Sequence, residues 1–422
     1  MPSGSPPSDD ATEVTATQLR EVVSALIDAG QWGQGDPLIV VVADAGYDIA
    51  RLAYWTGPLV CTGAVSAQRV SADGPVRLQI AARTVDLSQA RFADTAVLTV
   101  RYARVELTDV SAAAPLTVVS HLAAFTTSTR GETMDEQGLS GDGRAGIASI
   151  SGVDAANLVL TDVDLSECVF SGAYHLDQIR FEGRCIFAAS PQGWKRGWAR
   201  VPVRRWTARK VLAEERTWRG WPDPNPTPGT FVMPSMRPGP SPAGLAVLYR
   251  QLRKALEDGK DQPGAADFYY GEMEARRHDP TTPRGERALL YAYWLLSGYA
   301  LRASRALSFL AITAAITFLL MMAVGLPDTS PSPQITGTLP APGGIATLTE
   351  NTPDPVLTLP LGERFTAARV DQAALVVVNG VVFRSSGQDL TGIGTWIEMT
   401  SRIGEPVLLG FAALAARGRV QR

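Results

Sequence analysis

The sequence predicts a mainly β protein: a β-helix through the middle third, followed by an α-helical hairpin and one or two transmembrane helices. Three observations carry that expectation. Apolar or small residues recur every fifth position from Val85 to Leu107 and from Leu158 to Phe170; leucines recur at three and four from Leu245 to Leu256; and Ala306 to Leu326 holds no charged residue. At 422 residues the chain has room for two or three domains, and a net charge of −3 gives bulk electrostatics no reason to favour nucleic acid.

In the first repeat set, Leu87, Phe92, Val97, Tyr102 and Leu107 form one series, with Val85, Ala90, Thr95, Val100 and Val105 two residues ahead of it. Leu160, Leu165 and Phe170, led by Leu158, Val163 and Cys168, repeat the arrangement. A single strand continued at period two would bury Gln89 and Arg91, so the chain must turn between units. Each unit then contributes two inward side chains, and stacked coils bury them against one another at the inter-strand spacing of about 4.8 Å. Thr95, His175 and Arg180 fall on the inward series, which predicts fraying of the regular coil after Phe170. The polar, Gly-rich stretch 113–146 reads as a loop out of one wall. Outward residues Arg104, Asp162, Asp164 and Glu167 are candidates for contact with a partner.

The units Leu158-Val-Leu-Thr-Asp, Val163-Asp-Leu-Ser-Glu and Cys168-Val-Phe-Ser-Gly resemble the pentapeptide-repeat family, whose units read small or apolar, polar, Leu or Phe, polar, any. The resemblance implies a right-handed quadrilateral β-helix with about four units per coil, assigned here to 57–190. Cys61, Cys168 and Cys185 lack CxxC spacing, so neither a disulfide scaffold nor a zinc site is supported, and a reducing compartment is expected. Cys168 reads as packing.

Segment 191–243 begins with a cluster of Trp194, Trp198, Trp206, Trp218 and Trp221 among Lys195, Arg196, Arg200, Arg204, Arg205, Arg209, Lys210, Arg216 and Arg219, then turns Pro-rich. Such a cluster suits an anionic lipid surface, the capping end of a solenoid, or nucleic acid, and the sequence leaves these open. Leu245, Leu248, Tyr249, Leu252 and Leu256 open a helical stalk, 244–302, whose second helix carries Phe268, Tyr269, Met273 and the acidic pair Glu272 and Glu274. The acidic pair is expected on a solvated face, and His278 alone makes no site. The helical pair is similar to the one that precedes the membrane segment in bacterial, especially actinobacterial, pentapeptide-repeat membrane proteins.

The uncharged run Ala306 to Leu326, within a transmembrane segment assigned to 303–326, reaches about 31 Å over its 21 residues as a helix, enough to cross a hydrocarbon core. Arg284, Arg287, Arg302 and Arg305 precede it, and the following eighty residues are poor in Lys and Arg, so the N-terminal portion is expected in the cytoplasm. No signal peptide is apparent in the first thirty residues. Segment 327–388 reads as an extracytoplasmic linker with an apolar segment. Segment 389–422 holds a second hydrophobic run, Pro406 to Ala416, ending in Arg417, Arg419 and Arg422; it serves either as a second span or as a surface helix. No charge is expected within this hairpin's membrane portion, which gives a pore role no support.

In the N-terminal segment, 1–56, the run Leu38-Ile-Val-Val-Val-Ala-Asp44 reads as a buried strand ending in an acidic residue, after a helix from Ala16 to Ala29. It resembles the strand around the second catalytic Asp of DDE transposases, and the resemblance makes Asp44 the counterpart of a Mg²⁺-binding carboxylate. One carboxylate cannot perform that chemistry, so the segment reads as a truncated relic. No G-x-S-x-G, P-loop, HExxH or paired His and Cys arrangement is present. The expectation is therefore a protein that is not an enzyme and uses no cofactor or metal. It is a bacterial cell-membrane scaffold or binding module that touches lipid and an unknown protein partner, with nucleic acid not expected; the alternative is an inactive transposase remnant fused to a membrane protein.

Overall fold

The computed structural model describes residues 59–61, 63–126, 133, 136, 138, 139, 141, 143–191, 193–196, 202–206, 208–221, 240–328, 334–338, 347–351, 355 and 357–420. The chain divides into two compact units, 1–282 and 283–422.

The first unit is a β-solenoid closed at one end by helices. Its strands stack in parallel into sheets of six, four and three strands. Register fixes the coil length: Val76 pairs with Ala96 and Ala96 with Leu116, Val85 with Val105, and Ser71 with Arg91, twenty residues on each time. The short walls follow the five-residue spacing, with Val85, Leu87, Ala90 and Phe92 all buried. The long wall does not. Along Ala96–Arg101 burial alternates, Ala96, Leu98 and Val100 inward and Val97 and Thr99 half-buried, while Thr95 is exposed at the preceding corner. Six residues of extended chain impose period two, so the five-residue series holds only where the chain turns after each pair.

Corners recur with the coil. Arg69, Gln89 and Asp109 take φ values of 58, 62 and 57°, and Gly152 and Gly172 occupy the later turns at 78 and 90°. A Cβ at Gly152 would lie 2.0 Å from Asp109 Oδ1, so any other residue at this left-handed corner would have to displace the Asp109 side chain.

Two expectations are corrected. The stretch 113–146 is not all loop, because Leu116–Ser120 is a strand lying between Ala96–Arg101 and Leu158–Thr161 in the six-stranded sheet. The coil also continues past Phe170: His175 is exposed at a corner with φ 51°, Leu176 and Ile179 fill the interior, and Arg180–Glu182 pairs with Val159–Thr161. An added residue between the Asp154–Tyr174 bridge and the Val159–Arg180 pair absorbs the offset there.

Helices α1 (Ala213–Arg219), α2 (Pro242–Asp258) and α3 (Gln262–His278) seat on the last coil. Ser241 and Asp261 accept from Gly244 N and Gly264 N at the starts of α2 and α3, each with proline in the first turn. Leu245, Tyr249, Leu252 and Phe268 share one core with Phe170 and Phe187, and Phe268 stands edge-on to Phe187 with ring centres 5.1 Å apart. The expected stalk is thereby divided, since α2 and α3 are a lid on the solenoid and only α4 (Arg284–Ser297) lies in the second unit.

In the second unit, α5 (Ala303–Leu320) runs into a π-helical turn, Met321–Gly325. Together they are long and apolar enough to cross a membrane by length and composition, the one such helix among the described residues. A β-hairpin pairs Gln334–Thr338 with Thr347–Asn351, and α6 (Ala367–Val381) and α7 (Gly392–Val420, with Pro406 inside) follow. The hydrophobic run from Pro406 to Ala416 is thus part of a 29-residue helix that also carries Glu398, Arg402 and Glu405.

Candidate functional site

The four candidate contact residues on the solenoid's outside separate by role. Arg104 and Glu167 are exposed and ion-paired across the intervening Gly146–Ser149 rung, an arrangement that stabilises by about 0–1 kcal/mol. Asp162 and Asp164 instead hold corners. Asp162 Oδ1 accepts from Arg184 N at 2.7 Å, and Asp164 Oδ1 from Ser166 N at 2.8 Å. The latter repeats at Asp86, which accepts from Ser88 N at 2.9 Å, so the recurring Asp-Leu-Ser triplet is a turn clip with an inward leucine. Burial pushes the Asp86 carboxyl up, but hydrogen bonds from Ser88 and Gln68 outweigh it and hold the group below the ordinary carboxylate range.

Behind the solenoid's last coil lies a buried polar cluster. Glu214 Oε1 accepts from Phe170 N at 2.6 Å and Ser171 N at 3.0 Å, satisfying backbone donors that a further coil would otherwise take. Burial pushes this carboxyl up. Glu215, fully buried, accepts from Arg209, from Arg219 Nε at 2.7 Å and from the Tyr249 hydroxyl. Burial pushes its carboxyl up, yet Arg209 and then Arg219 pull harder, and it lies below the ordinary value. Arg219 also pairs with Glu274 at 3.0 Å, and Arg253 with Glu272 at 3.1 Å.

Glu272 and Glu274 were expected on a solvated face, and the structure buries both, at 3% and 2% exposure. Glu274 pairs with Arg277 within α3, but Arg219 on α1 and Arg253 on α2 are distant in sequence, and helical spacing within α3 does not reveal them. The described part of the basic cluster serves the same end: Lys210 pairs with Asp261 at 2.9 Å, and the Arg219 guanidinium stacks on Trp218 and Trp221. The side chains of 192–207, including Trp194, Trp198 and Trp206, lie outside the described residues. His278 stands edge-on to Trp218, with its Nδ1 2.8 Å from the carbonyl oxygen of Glu274. Among the described residues no group of three or more His, Cys, Asp or Glu could hold a metal ion. All three cysteines are free thiols; Cys168 is buried, and burial, followed by the nearby Glu214, pushes its thiol well up.

The second unit brings together residues that the sequence left apart. Arg369 donates to the carbonyls of Met322 (2.9 Å), Leu326 (2.8 Å) and Pro327 (3.2 Å), taking acceptors left open where the long apolar helix ends, and pairs with Asp328 at 2.9 Å. Backbone hydrogen bonds from Leu359 and Thr358, aided by Arg369, draw the Asp328 carboxyl down to about 2. No charge was expected inside this helical hairpin. Glu405 corrects that: it is fully buried, and Thr317 Oγ1 on α5 donates to it at 3.0 Å.

Residues 5–78 match the family described as DDE superfamily endonuclease, under a fifth of the chain. No curated protein and no solved structure matches the chain. Asp44 falls within the matched range and outside the described residues, as does the expected strand before it. The match runs on into the solenoid's first coil, where Ala64–Ser66 and Ser71–Ala72 already pair with the coil above. The likeness to DDE endonucleases therefore covers residues 5–58, which lie outside the described residues, and the described strands Leu59–Val60, Ala64–Ser66 and Ser71–Ala72 with the start of Val76–Ala81.

Proposed function

We propose that this chain is a non-enzymatic, membrane-anchored solenoid of the pentapeptide-repeat type, acting as a binding or scaffolding module for a protein partner not yet identified. The carrying observation is a solenoid and an apolar, span-length helix in one chain. The twenty-residue coil has the length of four five-residue units, which supports the repeat reading, and the right-handed, four-sided form is what that reading implies; Ala96–Arg101 is the face where burial alternates instead. Arg284, Arg287, Arg302 and Arg305 ahead of α5 support an N-terminal portion on the cytoplasmic side of a bacterial membrane. Alkaline carbonate extraction of membranes tests the anchor: the full chain stays in the pellet, and the chain lacking 306–326 moves to the supernatant. Recovery of the full chain in the supernatant refutes it.

A second reading rests on the family match at 5–78: the first segment is an inactive remnant of a DDE transposase fused to a membrane protein. The purified chain with Mg²⁺ is expected to leave DNA intact. Cleavage that Asp44→Ala abolishes overturns both the remnant and the non-enzymatic reading.

A further inference from the structure

Helix α6 is half of a hairpin that dips alongside α5 and returns. It starts beside the end of the apolar helix, where Arg369 reaches Met322 and Leu326. It ends with Gly380 against Glu405 and Ser401, and a Cβ at Gly380 would lie 3.0 Å from both Glu405 Oε2 and Ser401 Oγ. The chain then climbs back to Thr391, whose hydroxyl donates to Val324 O at 2.7 Å, before α7 descends. Thr317, opposite Glu405, is eight residues before Gly325, about 12 Å below that end of the helix. The tip of the hairpin therefore meets a carboxyl well inside the apolar stretch.

That carboxyl has few means of holding a charge. Among the described residues, Thr317 is the hydrogen-bond donor to this carboxyl, Oε2 has no hydrogen-bond partner, and no Lys or Arg forms an ion pair with it. On α4, which also packs here, Arg284, Glu286 and Arg287 sit in the first turn, and Arg417 on α7 is exposed; the other charged groups of the packed elements are engaged elsewhere. Arg369 on α6 is tied to Asp328, Glu398 on α7 accepts from Ser386 N, and Arg402 stacks on Phe383. Asp371 on α6 is exposed, and α5 carries no charge beyond Arg305, which donates to Trp294 O. Pro406, next in sequence, has no N–H for the carbonyl of Arg402, which loosens the helix beside the carboxyl.

We propose that Glu405 is a proton-binding site, its carboxyl held neutral at the tip of the α6 hairpin and exchanging its proton where α6 and α7 meet. The proposal rests on the membrane-anchored reading for its setting. A proton fits better than a metal cation, because one carboxyl and two hydroxyls fall short of the six to eight oxygens a hard cation gathers. A lone buried carboxylate without a counter-charge binds a proton instead.

The test is labelling of the full-length, detergent-solubilised protein with dicyclohexylcarbodiimide, which adds to a protonated carboxyl in apolar surroundings, followed by mass spectrometry of the α7 peptide. One adduct is expected at Glu405, absent in Glu405→Gln, insensitive to added Na⁺, and falling about tenfold per pH unit above its midpoint. Thr317→Val, which removes the donor that favours the ionised form, is expected to move the midpoint to higher pH. Absence of an adduct at every pH, protection by Na⁺ at constant pH, or a Thr317→Val profile identical to that of the unmodified chain overturns the proposal. Carbonate extraction of the same preparations reports the anchor separately, so failure of one reading is distinguishable from failure of the other.

Discussion

Replacing Glu215 by Gln asks whether charge fastens the lid to the solenoid. Gln keeps the volume and still accepts one hydrogen bond, but it leaves Arg209, 4% exposed, without its counter-charge. Breaking a buried ion pair by removing one partner costs about 3–5 kcal/mol, against about 0–1 for an exposed pair such as Arg104 and Glu167. Arg219 keeps Glu274, which places the expected loss near the lower end, about 3 kcal/mol. At about 1.4 kcal/mol per tenfold, that is roughly a hundredfold rise in lid opening.

Hydrogen-exchange mass spectrometry on the full chain reads it directly. Amides of Phe170, Ser171 and α2 are expected to exchange about a hundredfold faster, with Val76–Ala81 unchanged. The folded Glu215 carboxyl titrates below its ordinary value of 4.5, so its contribution is complete above that pH and is lost as pH falls through the lowered value. Exchange in Glu215→Gln indistinguishable from the unmodified chain refutes the reasoning. A Glu215→Leu, Arg209→Met double variant, which removes both charges, is expected to recover much of the loss.

Gly152→Ala forces a Cβ onto Asp109 at a left-handed corner and is expected to cost about 1–3 kcal/mol, read as a lower midpoint in urea. Cys168 is expected to resist maleimide at about pH 8 until denaturant is added, because burial keeps its thiol protonated; labelling in the folded protein contradicts the packing role. Asp328 has its carboxyl drawn down to about 2, so its contribution to anchoring 358–359 is present above the ordinary value of 3.8 and is lost only as pH falls through about 2. Limited pepsin digestion across acid pH is expected to show that segment becoming cleavable only near the lower limit.

The paired inward residues Val85 and Leu87, Ala90 and Phe92, and Val163 and Leu165 made the solenoid legible, because each five-residue step carries its own corner. Thr95 was misplaced because Ala96–Arg101 follows the geometry of a long strand, which a count by fives cannot see. Leu116 and Val118 carried a readable alternation that the surrounding Gly-rich composition masked. Glu272, Glu274 and Glu405 were illegible for a different reason. Their surroundings are set by helices far away in sequence, and a carboxylate's local spacing says nothing of the guanidinium or hydroxyl that tertiary packing brings to it.

The twenty-residue register restricts how such a rod can change length. Val118 still faces Leu160 even though forty-two positions separate them, because the extra chain leaves after Ser120 and rejoins in phase. Added or deleted sequence is harmless when it returns in step, as a surface excursion or as one whole rung of about 4.8 Å. A single extra residue inside a wall is taken up only where a bulge forms, as between Ile147 and Ser149; without one, the shift turns later leucines toward water. Height in this protein is thus available only in discrete increments, and any partner measuring along its side would meet a ruler with fixed graduations.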